Sequence, residues 1–161
     1  MQPRAAGPST QAQATLAINF RTKVIRLALY HPDMPPNVGT LLRLGACLGV
    51  PVHIIEPCGF PYSEKAVRRS ALDYLEYAEI TSHASFAAFL RDRPAGRVLL
   101  LSRHAAQPYI ACSFRPNDIL LMGRESAGVG PDAREAADLA VHIPLRRGMR
   151  SINVALAAAM V

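Results

Sequence analysis

The chain has 161 residues, of which half are hydrophobic and 19% are charged, a composition typical of a globular protein with one domain. No apolar run is long enough to span a bilayer, and the three cysteines lack the CxxC or Cys/His spacing of a metal site. Their odd number favours reduced thiols and hence a cytoplasmic protein. The net charge of +6 suggests a polyanionic partner. From charge alone, a nucleic-acid partner and the absence of one are about equally favoured.

Residues 1–23 contain no Asp or Glu and are rich in Ala, Gln, Thr and Pro, which is typical of a flexible tail. A transit peptide is also poor in acids, but it normally carries more Arg and Ser than this segment supplies. We therefore predict a flexible tail at 1–23 followed by a single domain at 24–161.

Strands and helices are predicted to alternate along that domain. Short apolar runs bounded by turn residues predict strands at 24–30, 52–56, 97–102, 118–123 and 139–144. Amphipathic or apolar periodicity predicts helices at 38–49, 63–69, 82–92, 131–138 and 151–161. This alternation favours an α/β fold with a mostly parallel sheet covered by helices on both faces. His53 and His142 lie in strand-like runs, so we expect core imidazoles there rather than metal ligands.

The stretch PPNVGTLLRLGACLG at 35–49 predicts the first of these helices. The two prolines keep the preceding residue non-helical, and Asn37 is the expected N-cap. Arg43 is expected over Gly39 near the positive end of the helix, which suits an anionic ligand. Taken alone, a capped helix with a solvated arginine is the preferred interpretation. The residues expected to face the core are Val38, Leu41, Leu42 and Leu48.

The stretch LLMGRESAGVG at 120–130 runs from a strand into a loop with three glycines and Glu125. Ligands in open α/β sheets bind at the carboxyl ends of strands, and glycines there let backbone amides approach a ligand closely. The spacing matches neither the dinucleotide fingerprint nor a P-loop. A ligand loop and a plain strand-to-helix turn have equal weight.

The stretch HIPLRRGMRSINVALA at 142–157 predicts a strand that ends at Pro144, then a basic loop and an apolar helix opened by Ser151 and Asn153. These two residues form either a helix cap or a second ligand loop that faces the same crevice. A helix that is apolar on nearly all sides is buried or forms an interface. Because it lacks a C-terminal cap, we expect the natural helix to continue past Val161.

Together, the three stretches resemble the SpoU branch of the SPOUT superfamily of knotted RNA methyltransferases, over about 24–161. The matching motifs are N-x-G-x-x-x-R, G-x-E-x-x-G and a strand ending in Ile-Pro followed by S-x-N, found here at Asn37, Gly39, Arg43, Gly123, Glu125, Gly128, Ile143, Pro144, Ser151 and Asn153. The segments HIIEPCGF at 53–60 and RRSALDY at 68–74 resemble the small stand-alone branch that 2′-O-methylates the wobble nucleotide of tRNA, cytidine or uridine 34.

The resemblance implies a trefoil-knotted α/β fold, an S-adenosylmethionine cofactor, a tRNA substrate and a homodimer. It implies that the cofactor is bound by Leu101, Gly123, Glu125, Gly128, Ile143 and Ser151. The implied catalytic residues are Arg43, Asn37, Ser151 and Asn153. Two features depart from the family, namely the acid-free N-terminal extension and a C-terminal helix that is shorter than usual.

Arginine stays protonated in proteins, so we predict that Arg43 stabilises the forming alkoxide and grips a phosphate instead of acting as a base. Phosphate contacts are predicted at Arg68, Arg69 and Arg150, and further candidates are Lys65, Arg146 and Arg147. For each of these residues taken alone, a position on a solvated basic face is an equally good interpretation. Two other functions fit the same motifs. One is a SpoU-type 2′-O-methyltransferase for another tRNA or rRNA position, and the other is a catalytically idle knotted RNA-binding module.

Overall fold

The computed structural model describes residues 25–63 and 76–161. The predicted tail, nearly all of the helix predicted at 63–69, and the candidate contacts Lys65, Arg68 and Arg69 lie outside the described residues. The strands are β1 (Arg26–Tyr30), β2 (Val52–Ile55), β3 (Ile80–His83), β4 (Val98–Leu101), β5 (Gln107–Pro108), β6 (Ile119–Met122) and β7 (Leu139–His142). The helices are α1 (Pro35–Leu48), α2 (Phe86–Asp92), α3 (Pro131–Glu135) and α4 (Val154–Met160). None of the helices in the described ranges has the length and apolar character needed to cross a membrane.

These strands form one sheet in the order β3-β2-β1-β6-β4-β7-β5, and every neighbouring pair is parallel. Successive side chains of a strand point to opposite faces, so Leu27 and Leu29 of β1 join one core while Ala28 and Tyr30 join the other. Helices α1 and α4 pack into the first core, and α2 and α3 pack into the second. The predicted parallel α/β sheet with helices on both faces is confirmed.

Helix α1 begins three residues earlier than predicted, so the assignment of Asn37 as its N-cap is wrong. The N-cap position is held by Met34, whose backbone is extended and whose side chain makes no capping hydrogen bond. Two prolines fit the first turn of a helix because their fixed φ is helical and the first N–H groups need no partner within the helix. The core-facing prediction for Leu48 is also wrong, since this last residue of α1 is 45% exposed.

The helix predicted at 82–92 is in fact a strand followed by a shorter helix. Strand β3 pairs with β2 at the edge of the sheet, and α2 starts at Phe86, with the Ser85 hydroxyl accepting a hydrogen bond from the Ala88 N–H (3.1 Å). An edge strand tolerates polar side chains, and within β3 only His83 is buried. The prediction also missed the two-residue edge strand β5. Helices α3 and α4 are shorter than predicted, and Asn153 caps α4.

His53 lies in the core as predicted, paired with His83 of the neighbouring strand. The His53 Nδ1 and His83 Nε2 atoms are 3.0 Å apart, and both rings pack against Phe89. Burial disfavours the charged imidazole and lowers the pKa of His53 to about 4, with a further contribution from the neighbouring His83. Burial also lowers the pKa of His83. In contrast, His142 is only half-buried. Within the described parts of the chain, neither His53 Nε2 nor His142 Nδ1 has a hydrogen-bond partner.

We expect the free energy of unfolding to decrease as the pH falls from about 6.5 towards 4. In this window His53 of the unfolded chain binds a proton while the folded His53, with its pKa of about 4, does not. Above pH 6.5 His53 is neutral in both the folded and the unfolded state, so it no longer makes the free energy of unfolding depend on pH. The largest decrease in that free energy from His53 is about 3 kcal/mol. Urea unfolding at a series of pH values measures this dependence. The His53→Gln variant should show a flatter slope, and an unchanged slope would contradict the assignment.

Candidate active site

Three loops enclose a cleft at the carboxyl edge of the sheet. They follow the adjacent strands β6, β4 and β7, and the cleft between them has a volume of about 810 Å³. Ligands of open parallel sheets bind at this edge, and small-molecule sites span roughly 300–1,000 Å³. The cleft therefore has the place and the size of a small-molecule site.

The loop after β6, residues 123–128, is here called the glycine loop. The Arg124 N–H donates to the Gly128 carbonyl (3.1 Å) and the Gly128 N–H donates to the Arg124 carbonyl (2.8 Å), which closes a narrow turn. Gly128 has φ +68°, a conformation that L side chains rarely adopt. A Cβ on Gly123 would lie 2.5 Å from the carbonyl carbon of Gly128. Both glycines of the G-x-E-x-x-G motif are thus required by the backbone of this turn.

Hydrogen bonds join the three sequence motifs at the rim of the cleft. The Asn37 Nδ2 donates to Glu125 Oε1 (2.5 Å), and the Asn153 Nδ2 donates to Asn37 Oδ1 (2.9 Å). The Val154 N–H also donates to Glu125 Oε1, at 3.4 Å. The Oδ1 atom of Asn153 accepts hydrogen bonds from the first N–H groups of α4, so this side chain caps the helix as well. Residues 88 and 116 positions apart along the chain therefore form one network.

Sequence reasoning missed Asp33, which contacts the glycine loop from the segment after β1. Its carboxylate accepts hydrogen bonds from the Glu125 N–H (3.1 Å), the Ser126 N–H (3.2 Å) and the Ser126 hydroxyl. Burial opposes ionisation of Asp33, but the hydrogen bonds from Ser126 and Glu125 outweigh it and hold the pKa below its usual value. The sequence signal that could have indicated this residue was an acid directly before the Met-Pro-Pro start of α1.

The structure brings all the predicted cofactor residues to the wall of the cleft: Leu101, Gly123, Glu125, Gly128, Ile143 and Ser151. Asn153 and the predicted phosphate contact Arg150 also line it. Asn37 reaches the wall only through its hydrogen bonds to Glu125 and Asn153. Among the predicted catalytic and cofactor-binding residues, all but one therefore converge on one place in the fold.

That exception is Arg43, which is exposed and is not among the residues lining the cleft. Helix α1 connects two parallel strands, so it runs from the carboxyl edge of the sheet back to the amino edge. Arg43 lies six residues beyond Asn37, or about 9 Å further along the axis. The helix dipole acts mainly within the first turn, so the expectation that Arg43 lies near the positive end is wrong. Gly39, expected to leave space for a ligand, is buried.

The cleft is rich in positive charge beyond the predicted residues. Among the described residues that line it, Glu125 is the one acid, and the arginines are Arg103, Arg124, Arg134 and Arg150. Three of these four were not predicted, although Arg103 lies two residues after the end of β4 and Arg124 lies inside the second motif. The described ranges contain no group of three or more His, Cys, Asp or Glu side chains arranged to hold a metal ion. The electrostatics of the cleft suit an anionic or oxygen-rich ligand.

Several known proteins resemble this chain over most of its length. It is 56% identical over 137 residues to a tRNA (cytidine(34)-2'-O)-methyltransferase of Beijerinckia indica, covering 84% of this chain and 86% of the relative. A protein of the same name from Escherichia coli K12 is 34% identical over 140 residues, covering 86% and 89%. A structure solved to study the 2-OH methylation of C/U34 on tRNA is 35% identical, with a TM-score of 0.80 and coverage of 86% and 91%.

The family assignment rests on the match to a family model. Residues 24–161 match the model of the SpoU rRNA Methylase family, and this range contains all three motifs that meet at the cleft. The resemblance inferred from those motifs is confirmed. The chain belongs to the SpoU rRNA methylase family.

Proposed function

We propose that this protein transfers a methyl group from S-adenosylmethionine to the ribose 2′-oxygen of nucleotide 34 of tRNA, the wobble cytidine or uridine. The observation that carries the proposal is the hydrogen-bonded network of Asn37, Glu125 and Asn153 at the cleft rim. The name of the Beijerinckia relative, with 56% identity, supports the substrate. The +6 net charge is compatible with a polyanionic RNA.

The residues of the cleft fit S-adenosylmethionine. The volume suffices, and the loops at the cleft wall carry glycines that let backbone groups approach a ligand closely. The residues that would hold the cofactor are Leu101, Gly123, Gly128, Ile143 and Ser151, largely through backbone groups, with Glu125 orienting the loop. When bound, S-adenosylmethionine supplies an electrophilic methyl group on a sulfonium.

The contribution of the chain itself is positioning and charge stabilisation. The permanently charged guanidinium of Arg43 stabilises negative charge on the ribose 2′-oxygen as the hydroxyl proton leaves to solvent. It also binds an adjacent phosphate of the RNA. Asn37, Ser151 and Asn153 orient the ribose. The Asn37 and Asn153 side chains are themselves fixed by their mutual hydrogen bond of 2.9 Å.

The proposed active form is a homodimer. Arg43 does not line the cleft of its own chain, so its proposed role requires that it reach the cleft of a second copy. Helices α1 and α4 pack against each other, and large exposed apolar side chains lie on or beside them: Met34, Leu48, Leu156 and Met160. Contact with a second copy would remove this apolar surface from water.

The proposed trefoil knot and cytoplasmic location follow the same assignment. Strand β7 lies beyond β4, yet α4 returns to pack on α1 and β6, as expected for a chain that threads back under the preceding loops. Pulling single molecules from both ends tests the knot. A fully extended chain spans about 3.3–3.6 Å per residue, and a tightened knot would make the stretched chain shorter than this. A full-length extension would contradict the knot.

All three cysteines are free thiols, in keeping with the proposed cytoplasmic location.

Neutralising Arg68 and Arg69 to glutamine is expected to weaken tRNA binding and flatten its salt dependence. Each lost phosphate contact removes counterion release and lowers the slope of log affinity against log salt by about one. Filter binding at several salt concentrations measures the slope. The control is Arg91→Gln, which removes an exposed arginine that pairs with Asp92 on α2. An unchanged slope in the double variant would remove both residues from the interface.

Nucleoside mapping tests the whole proposal. Purified protein is incubated with total tRNA and methyl-labelled S-adenosylmethionine, and the labelled nucleoside is then located by nuclease digestion. We expect 2′-O-methylcytidine or 2′-O-methyluridine at position 34. A methyl group at another position would overturn the wobble assignment while leaving the reaction class intact. Absence of S-adenosylmethionine binding in calorimetry would favour the idle RNA-binding module.

A further inference from the structure

The segment that runs from Asp33 into the first turn of α1 holds the glycine loop at two points. Residues 33–37 are here called the clamp segment. At its first point Asp33 accepts three hydrogen bonds from Glu125 and Ser126, two of them from backbone N–H groups. At its second point Asn37 donates to the Glu125 side chain (2.5 Å). The backbone and the side chain of Glu125 are thus fixed by two different residues of one short segment.

The spacing between the two points is rigid. Pro35 and Pro36 lie between them and lock φ, and the N–H of Asn37 donates to the Met34 carbonyl (3.0 Å) to close the first turn of α1. Bending the clamp segment would therefore break the start of a 14-residue helix. Asp33 and Asn37 act as parts of one preformed unit.

Asp33 is also packed against the backbone at residue 59. The Gly59 N–H donates to the Pro32 carbonyl (2.9 Å), and a Cβ on Gly59 would lie 2.7 Å from the Asp33 Cβ. The backbone at 59 therefore packs closely against Asp33, and only a residue without a side chain fits there. The space between the clamp segment and the glycine loop is about 20 Å³, close to that needed by a single water.

We propose that Asp33 is a positioning residue for the methyl donor, holding the glycine loop in its ligand-binding form before the ligand arrives. Asp33 does not line the cleft, but the Glu125 and Ser126 residues that it holds do. A loop that is already ordered does not lose conformational freedom on binding, so the ligand binds more tightly. This inference rests on the proposed cofactor, and its new element is the role of a carboxylate outside the three family motifs.

The test compares Asp33→Asn and Ser126→Ala with Asp92→Asn, a matched control on α2. Asparagine keeps one acceptor oxygen but places an NH₂ group against the remaining donors, so we expect S-adenosylmethionine affinity to fall about tenfold in calorimetry. Ser126→Ala removes only the hydroxyl contact, and we expect a loss of about threefold. The control should bind as the wild type does. Without ligand, hydrogen exchange at the Glu125 and Ser126 amides should accelerate in Asp33→Asn while the strands β1 and β6 stay protected.

The outcomes separate this role from the proposed function. If the wild-type protein does not bind S-adenosylmethionine, the proposed function fails irrespective of Asp33. If the wild type binds and Asp33→Asn binds equally well, the positioning role is overturned. Faster exchange in the whole sheet, in place of the loop alone, would also overturn it, because that result indicates a general loss of stability. Should Asp33→Asn not fold, the Ser126→Ala measurements decide by the same criteria.

Discussion

The Arg43→Ala variant is expected to lose about 10²–10³-fold in kcat while keeping nearly normal affinity for S-adenosylmethionine. Removal of one preorganised group that stabilises developing negative charge typically costs this much. Cofactor affinity should survive because the proposed contacts of Arg43 are to the ribose 2′-oxygen and a phosphate of the RNA and not to the cofactor. Single-turnover methylation of tRNA measures the chemical step, and calorimetry measures cofactor binding.

Arg43→Lys is the matched control for this variant. Lysine keeps the charge but lacks the planar fork of the guanidinium, so we expect an intermediate kcat. If the lysine variant kept nearly full kcat while only KM rose, Arg43 would contribute to ground-state binding and not to the transition state.

Mixing two variants tests whether Arg43 acts in the cleft of a second copy, at an S-adenosylmethionine concentration too low to fill the Gly123→Ala cleft. Arg43→Ala keeps an intact cleft, and Gly123→Ala keeps an intact Arg43. With random pairing half of the dimers are mixed, and each has one cleft of two with every part in place, so about a quarter of wild-type activity should return. If dimers shown to be mixed recovered no methyltransferase activity, Arg43 would act in the cleft of its own chain.

The Gly123→Ala variant is expected to weaken S-adenosylmethionine binding by about 100-fold, which corresponds to about 2.7 kcal/mol. The new Cβ would lie 2.5 Å from the carbonyl carbon of Gly128 and 2.8 Å from its Cα. These are backbone atoms that no side-chain rotation can clear, so the turn has to open. Overpacking of this kind costs about 1–3 kcal/mol and falls on the wall of the proposed cofactor site.

Gly128→Ala provides the comparison within the same turn. A Cβ there would meet nothing within 4 Å, and only the positive φ of +68° opposes it, at about 1–2 kcal/mol. We therefore expect a smaller loss of affinity than in Gly123→Ala, measured by calorimetry with thermal unfolding as a check on folding. Wild-type affinity in Gly123→Ala would show that the closed turn is not needed for the ligand.

Local signals in the sequence were sufficient for most of the sheet and for the motifs. The apolar runs of β1, β2, β4, β6 and β7 are each short enough to be read from neighbouring residues. Strand β3 was missed because its polar residues are explained only by its place at the sheet edge, where His83 meets His53. Helix α1 was predicted, but its start was not, because two prolines fit either just before a helix or in its first turn.

The sequence by itself determined the alternation of strands and helices, the glycine loop and the family, because these depend on residues close together in the chain. Only the tertiary structure decided which side chains meet. The partner of Asn37 is Glu125, 88 positions away, and the order β1-β6-β4-β7 is what brings their two loops together. The contact of Asp33 with Ser126 arises in the same way. The direction of α1 relative to the sheet sets Arg43 apart from the cleft, and no local pattern encodes that direction.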